Sequence, residues 1–208
     1  MVTVFQQFID GMRQTGLLEY VAVISGLASV WYSKKEDILL YPIGLLNTTI
    51  YIYLSVKAQL YGEASVNFYY TIVSIYGWVV WSRRDERQVT QLKIRSSSKS
   101  EWITQLQFFS LFYIAIFIAL KKLQEGFSPG VIPWADALAS ASAYTGMWLM
   151  VRKKLESWYW WILTNISSIP LYFVKGFVFT SVYYLILLVM AFYGLAEWKK
   201  KAISNTHV

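Results

Sequence analysis

Trp158, Trp161 and Asn165 lie close together in an otherwise apolar segment. Their spacings of three and four residues place all three side chains on one face of a helix. Indole faces hold flat or cationic rings by stacking and cation–π attraction, worth roughly 0.5 to 2 kcal/mol each, and an amide adds hydrogen-bond donors and an acceptor. The pattern predicts a site for a flat cationic solute. The alternative is an interfacial aromatic belt beside Lys153-Lys154, the role that we expect for Trp160.

Of the further polar side chains within apolar runs, where an unpaired polar group is costly and is therefore a functional candidate, four are assigned to the site. These candidates are Asn47, Asn67, Ser74 and Asp136. The alternative for the amides is hydrogen bonding between neighbouring helices. For Asp136, which follows Pro133-Trp134, the choice is between attracting a cation and capping the start of a helix.

The elements that position these residues must lie in a membrane. Of the 208 residues 56% are hydrophobic, 18% are aromatic and only 15% are charged, which is outside the usual range for soluble domains. The chain has no cysteine, and its single histidine, His207, is in the polar tail. We therefore expect no metal, no cofactor and no enzyme activity. The net charge of +7 comes from basic residues in short loops, which favours membrane topology over nucleic-acid binding.

Seven apolar runs predict an all-α polytopic protein with seven transmembrane helices. The runs are approximately 17–31, 38–56, 65–81, 103–120, 132–151, 158–174 and 177–198. Lys and Arg residues divide between alternate sides of these runs as 5 and 14, which together make all 19. Because cationic loops stay in the cytoplasm, we expect the N-terminus outside and the C-terminus inside the bacterial inner membrane, with the 82–101 loop cytoplasmic.

The chain also repeats itself. Basic and polar landmarks recur after 118 residues and aromatic ones after 117, which places Lys34-Lys35 on Arg152-Lys153, Asn47 on Asn165, Gly77 on Gly194 and Trp81 on Trp198. We interpret this as a duplicated three-helix unit; a chance match between aromatic-rich segments is the alternative. An unpaired fourth helix gives both copies the same orientation, a 3+1+3 arrangement of parallel repeats with the solute site near mid-membrane between them.

The predicted organisation has five parts. They are an outer N-terminal segment (1–16), the first three-helix repeat (17–82), a cytoplasmic loop and linker helix (83–120), the second repeat (132–198) and a cytoplasmic tail (199–208). Pro42 and Pro170 fall inside spans and predict kinks or hinges. Gly77 and Gly194 predict close helix approach.

Four segments resemble a known family. They are Tyr41-Pro42-Ile43-Gly44-Leu45-Leu46-Asn47, Ile75-Tyr76-Gly77-Trp78 to Trp81-Ser82-Arg83, Trp134 to Asp136, and Arg152-Lys153-Lys154-Leu155-Glu156-Ser157-Trp158 through Trp161 to Asn165. With them the chain resembles the PnuC family of bacterial vitamin transporters over nearly its whole length. The resemblance implies seven helices in a 3+1+3 layout similar to that of the sugar-transporting SWEET proteins.

The resemblance also implies a function. It implies facilitated diffusion of nicotinamide riboside, trapped inside by a separate cytoplasmic kinase, and assembly as a homotrimer. It assigns Trp158, Trp161 and Asn165 to the substrate site, with Asn47 added by the repeat, and places Asn67 and Ser74 where members selective for nicotinamide riboside often have Gln and Asn. Relatives carry thiamine or riboflavin, and thiamine, another flat cation, is the alternative substrate.

Overall fold

The computed structural model of this chain describes residues 3–57, 61–83, 92–124 and 132–206. These residues form eight helices: α1 (Val4–Gln14), α2 (Leu17–Lys35), α3 (Leu40–Lys57), α4 (Tyr61–Ser82), α5 (Lys99–Gln124), α6 (Pro133–Val151), α7 (Ser157–Val174) and α8 (Val178–Thr206). Within this part of the chain the one β feature is an isolated bridge between Arg95 and Lys154. The all-α prediction is confirmed for the described residues, whereas the centre of the predicted loop, 84–91, and His207 lie outside them.

Each predicted apolar run coincides with one of the helices α2 to α8. The additional helix, α1, falls in the segment predicted as an N-terminal extension. Thr3 and Gln6 form a capping box at its start, in which the Thr3 side chain accepts from the Gln6 amide and the Gln6 side chain accepts from the Thr3 amide. This Thr-x-x-Gln spacing was visible in the sequence and is a known sign of a helix start.

Not all of these helices meet the length and hydropathy expected of a lipid-exposed span. Among the described residues Lys99–Lys122 and Val178–Asn205 do so, and Val4–Arg13 with Leu17–Lys35, which meet at 108°, form a third candidate. The other helices are shorter or more polar. In α6, for example, most side chains from Ala135 to Val151 are buried by protein. A helix enclosed by other helices need not be apolar on all sides.

The helices form two sequential triplets that face each other. In the first, α2 packs on α3 and α3 on α4; in the second, α6 packs on α7 and α7 on α8. The triplets meet along two seams, α2 with α8 and α4 with α6, so that each seam joins the first helix of one triplet to the third helix of the other. Helix α5 packs on α6 and α1 packs on α8.

Two turns at one end of the bundle have the same backbone geometry. We call this the basic end, because it holds Lys34-Lys35, 152–154 and 199–201. Glu36 after α2 and Lys153 after α6 both have positive φ, 66° and 50°. The next amide closes each helix in the same way: Asp37 donates to Tyr32 over 2.9 Å, and Lys154 donates to Leu149 over 3.0 Å. The two turns are related by an offset of 117 residues.

The same offset continues into the next helices. Helices α3 and α7 both contain 18 residues, and their first residues, Leu40 and Ser157, correspond at 117. The predicted pairing of Asn47 with Asn165 is therefore wrong by one residue. Asn47 corresponds to Thr164, and Asn165 corresponds to Thr48, because an uninterrupted helix leaves no place for the one-residue insertion that an offset of 118 needs. One residue turns a side chain by about 100° around a helix.

The two prolines differ in their structural effect. Pro42 is the third residue of α3, within the first turn, where an amide hydrogen has no helical partner to lose. Pro170 lies inside α7, near its end. Only Pro170 thus interrupts a hydrogen-bond ladder, and the hinge predicted at Pro42 lacks that basis.

Candidate functional site

Trp161 lies at the seam between the triplets, in a cluster of aromatic rings. Its indole is 6.4 Å from the Tyr70 ring of α4, and Tyr70 is 6.1 Å from Tyr144 of α6 in an edge-on arrangement. Gly146 of α6 lies under the indole, since a Cβ there would come within 3.2 Å of the Trp161 ring. The absence of a side chain at position 146 therefore makes room for the indole between α6 and α7.

Asn165 is one helical turn from Trp161, on the same face of α7. The residue is only 3% exposed, yet its side-chain amide has no hydrogen bond to any residue in the described ranges. Its donors and acceptor are available to a bound solute.

A second polar group lies across the α2–α8 seam. Asn47 donates from Nδ2 to the carbonyl oxygen of Ala22 over 2.6 Å. A Cβ at Gly26 of α2 would lie 2.6 Å from Tyr183 Oη and 2.9 Å from Asn47 Nδ2. Glycine at this position therefore lets Asn47 and Tyr183 approach each other over the backbone of α2.

Further tyrosine rings extend from Tyr183. The Tyr184 ring is 5.8 Å from the Tyr183 ring and stacks on Tyr172 of α7 at 5.2 Å. The tyrosines of α8 therefore contact both the first triplet and α7.

Asn67 and Ser74 lie on α4 on either side of Tyr70, three residues before it and four residues after it. They therefore share the face of α4 that Tyr70 turns to the seam. Asn67 is half-buried, and its carbonyl oxygen accepts from Thr71. Ser74 is buried. The structure thus places both predicted residues beside the aromatic cluster.

Asp136 is engaged at the other end of the bundle. Its carboxylate accepts from Lys175 Nζ over 2.7 Å and 2.9 Å and from the Ile132 amide over 2.8 Å. It therefore caps the start of α6 and holds the α7–α8 turn. These contacts are those of the alternative, capping role.

Trp158 belongs to a buried apolar cluster against which Trp161 also packs. It is 1% exposed, and its ring lies on Gly194 of α8, where a Cβ would come closer than real Cβ atoms do. The Trp198 ring is 5.7 Å away, edge-on. Tyr41, Gly77 and Trp81 repeat this arrangement in the first triplet, with a Tyr41–Trp81 distance of 5.3 Å. The predicted close approach at both glycines is confirmed.

The prediction that Trp160 is an interfacial belt residue is wrong, because this side chain is buried. Its Nε1 donates to Gln105 Oε1 of α5 over 3.2 Å, and its ring is 4.9 Å from Phe109. A lysine pair just before an aromatic run suits a lipid interface equally well. The sequence does not show that α5 covers this face of α7.

The basic end is closed by ion pairs and a short segment of chain. Lys153 Nζ lies 2.7 Å from Glu36 Oε1, and Lys201 lies 3.1 Å from Glu36 Oε2. Burial lowers the pKa of Lys153 from the usual 10.5, and the hydrogen bond that Lys153 donates to Glu36 opposes that change. Arg95 joins the α6–α7 turn through backbone hydrogen bonds with Lys153 and Leu155.

Sequence reasoning missed the tyrosines of the seam, Tyr70, Tyr144 and Tyr183. Each stands in an apolar run that contains other aromatic residues. Because 16 of the 208 residues are tyrosine, composition does not single out these three. The one available signal was the spacing of Tyr70 from Asn67 and Ser74, which puts the three on one helical face.

Comparisons with known proteins bear on what this site holds. A family model described as "Nicotinamide mononucleotide transporter" matches residues 16–200. The chain is 25% identical to the "Nicotinamide riboside transporter PnuC" of Escherichia coli (strain K12), over 89% of this chain and 86% of that protein. It is 22% identical to the "Riboflavin/roseoflavin transporter RibM" of Streptomyces davaonensis, over 86% and 83%.

A solved structure has a similar fold. It is described as "Crystal structure of the Vitamin B3 transporter PnuC" and aligns with a TM-score of 0.74 at 22% identity, covering 97% of this chain and 88% of that one. At this identity the likeness concerns the fold.

Proposed function

This chain belongs to the nicotinamide mononucleotide transporter family, and from that membership we propose that it carries nicotinamide riboside across the bacterial inner membrane by facilitated diffusion. It is a multi-pass membrane protein and a vitamin transporter rather than an enzyme. Identities of 22–25% to relatives named for nicotinamide riboside and for riboflavin leave the vitamin to be assigned from the site.

The observation that carries the proposal is the unbonded amide of Asn165, buried one turn from the Trp161 indole. The pyridinium ring of nicotinamide riboside is flat and cationic and suits an indole face. Its carboxamide can exchange a donor and an acceptor with the Asn165 side chain. Across the α2–α8 seam, we assign Asn47 and Tyr183 to the ribose hydroxyls.

Thiamine and riboflavin are the competing substrates. Thiamine is also a flat cation, so an indole with an amide suits it equally. Riboflavin is named for one relative of the chain, but its larger neutral ring gains nothing from cation–π attraction. Trp158, buried on Gly194, lies between the proposed site and the basic end.

We further propose seven spans in a 3+1+3 arrangement of parallel repeats, similar to that of SWEET proteins. Two like triplets, two like seams and two like turns support it. The N-terminus is outside and the basic end is cytoplasmic, in accord with the excess of Lys and Arg there. A homotrimer and a kinase that phosphorylates the imported vitamin complete the proposal.

We propose uniport without ion coupling, and the pairing of Asp136 supports it. Asp136 is neutralised by Lys175 over 2.7 Å and so offers no unpaired carboxylate for a sodium ion or a proton. Solute would then run down its own gradient until it is phosphorylated. Transport requires the two triplets to move about the bound vitamin.

Calorimetry on the purified protein tests the substrate assignment, with nicotinamide riboside, thiamine and riboflavin titrated separately. We expect nicotinamide riboside to bind and Asn165→Ala to weaken that binding by about 10-fold or more, the cost of losing a buried hydrogen-bond partner. Thr48→Ala, at the corresponding position of the first triplet, is the matched control and should keep the affinity.

Tight thiamine or riboflavin binding with no response to nicotinamide riboside would overturn the assignment. In proteoliposomes without an ion gradient, preloaded unlabelled vitamin should drive uptake of the labelled vitamin. Accumulation that requires an imposed sodium or proton gradient would contradict uniport.

A further inference from the structure

Four aromatic rings form a layer between the site and the basic end. Tyr41, Trp81, Trp158 and Trp198 are all buried, and Trp158 lies one helical turn from Trp161 toward the basic end. We call these four side chains the aromatic plug. A solute that leaves Trp161 for the basic end has to pass this layer.

The plug joins the two triplets symmetrically. The Trp81 ring is 6.3 Å from the ring of Trp198, its counterpart at offset 117. Trp81 of the first triplet donates from Nε1 to the Val151 carbonyl of the second over 2.9 Å. Trp198 of the second donates from Nε1 to the Ser33 carbonyl of the first over 3.1 Å. Each indole thus fastens its own triplet to the helix end of the other.

More counterparts meet below the plug. Ser33 Oγ donates to Met150 Sδ over 3.0 Å, and Glu36 pairs with Lys153 over 2.7 Å; both pairs are 117 residues apart. Lys153 Nζ is also 4.5 Å from the Trp81 ring. Corresponding residues touch each other only where an axis relates two copies, so the plug closes the bundle on its pseudo-two-fold axis.

Two polar atoms of the plug have no partner. Tyr41 Oη and Trp158 Nε1 are fully enclosed and make no hydrogen bond within the described residues, and they occupy corresponding positions of α3 and α7. A buried donor without an acceptor opposes the state in which it is buried. The plug therefore holds two latches that favour closure and two donors that favour opening.

We propose that the aromatic plug is the basic-side gate of the transporter, with the Trp81 and Trp198 indole N–H groups as its two latches. Opening separates the triplets at the axis, breaks both indole hydrogen bonds and brings Tyr41 and Trp158 into contact with water or solute. The proposal rests on the proposed transport function, because it assumes that the solute path runs between the triplets.

Thiol labelling tests the gate, since the natural chain has no cysteine. Asn165→Cys places a reporter on the site side of the plug. Ser204→Cys, exposed near the end of α8 at the basic end, shows which membrane vesicles present that end to the medium. A membrane-impermeant maleimide is added to sealed vesicles of that orientation, and the labelling rate at position 165 is measured.

We expect slow labelling in the reporter alone. Adding Trp81→Phe or Trp198→Phe, which removes the latch and keeps an aromatic ring, should raise the rate roughly fivefold each, the shift expected from a net hydrogen bond. The two changes together should multiply. Trp160→Phe is the matched control, because it also deletes a buried indole hydrogen bond but one to α5; it should leave the rate unchanged.

Equal acceleration by Trp160→Phe, or none by Trp81→Phe and Trp198→Phe in correctly inserted protein, would overturn the gate. Vitamin binding is measured in the latch variants with Asn165 intact. If the latch variants bind vitamin but position 165 is still labelled slowly when Asn165→Cys is combined with them, the gate is wrong and the transport function stands. If the parent chain binds no vitamin, the proposed function fails, whatever the labelling shows.

Discussion

The basic end and the middle of the bundle differ in how closely the two triplets resemble each other. At the basic end corresponding residues are alike and do alike things: Trp81 and Trp198 each donate across the axis, and Gly77 and Gly194 each lie under an aromatic ring. In the middle the correspondence fails. Offset 117 relates Trp161 to Gly44, which has no side chain, and Asn165 to Thr48.

The middle also differs between the triplets in side-chain size. In the second triplet Trp161 of α7 lies over Gly146 of α6; at the corresponding positions Gly44 of α3 faces Ser29 of α2. Two halves that must fit each other keep their symmetry, as at the basic end. A vitamin has no two-fold axis, so a site that holds it gains by losing the symmetry. We therefore expect solute recognition where the corresponding residues of the two triplets differ.

The largest expected effect is at Trp161. Trp161→Ala should weaken vitamin binding roughly 30-fold or more, the loss typical of a buried tryptophan at a binding hot spot, while expression and oligomer size stay the same. Calorimetry measures the affinity. Trp134→Ala, at an exposed tryptophan of α6, should bind as the parent does. Unchanged affinity in Trp161→Ala would remove the functional reason for the asymmetric middle.

A smaller effect, equal in the two triplets, is expected at the glycines of the basic end. Gly77→Ala and Gly194→Ala should each destabilise the protein by about 1 to 3 kcal/mol, the usual cost of overpacking, because the added methyl group would overlap Tyr41 or Trp158. Melting in detergent measures both. Gly16→Ala, which meets nothing within 4 Å, is the control. Strongly unequal losses would contradict the symmetry of the basic end.

The smallest effect is expected at Asp136. Asp136→Asn should cost about 1 kcal/mol, because solvent still reaches both side chains of its pair with Lys175, which are 17% and 20% exposed, and screens their attraction. The change should leave vitamin affinity unchanged. Glu19→Gln at the corresponding, half-buried position of α2 is the matched control. If Asp136→Asn weakens binding of the cationic vitamin but not of riboflavin, Asp136 belongs to the recognition site and the asymmetry extends to the outer end.

Sequence patterns predicted where the helices lie better than which helices pack against each other. Apolar runs mark these helices because a helix inside a membrane or a protein interior needs apolar side chains. The positions of α2 to α8 therefore followed directly from the sequence. The side that a residue faces depends on which helix covers it. Trp158, Trp160 and Trp161 follow one another closely in the chain, yet they meet α8, α5 and α4 respectively. No spacing within α7 distinguishes these partners.

The site was predicted in part for the same reason. The spacing of Trp161 and Asn165 follows from helix geometry alone, and the structure keeps them on one face. Tyr183 joins Asn47 only through the packing of α8 on α2, which is distant in sequence. The one-residue error in the repeat arose because basic loop residues were aligned by type, whereas the backbone turns at Glu36 and Lys153 define the offset.

The contacts of the linker helix α5 indicate which triplet it moves with. It packs on α6, bonds to Trp160 through Gln105, and is preceded by Arg95, whose backbone pairs with Lys153 and Leu155. We therefore expect α5 to move with the second triplet during transport. A spectroscopic ruler between α5 and α7 should read one constant length through the cycle, while one between α5 and α3 should read two.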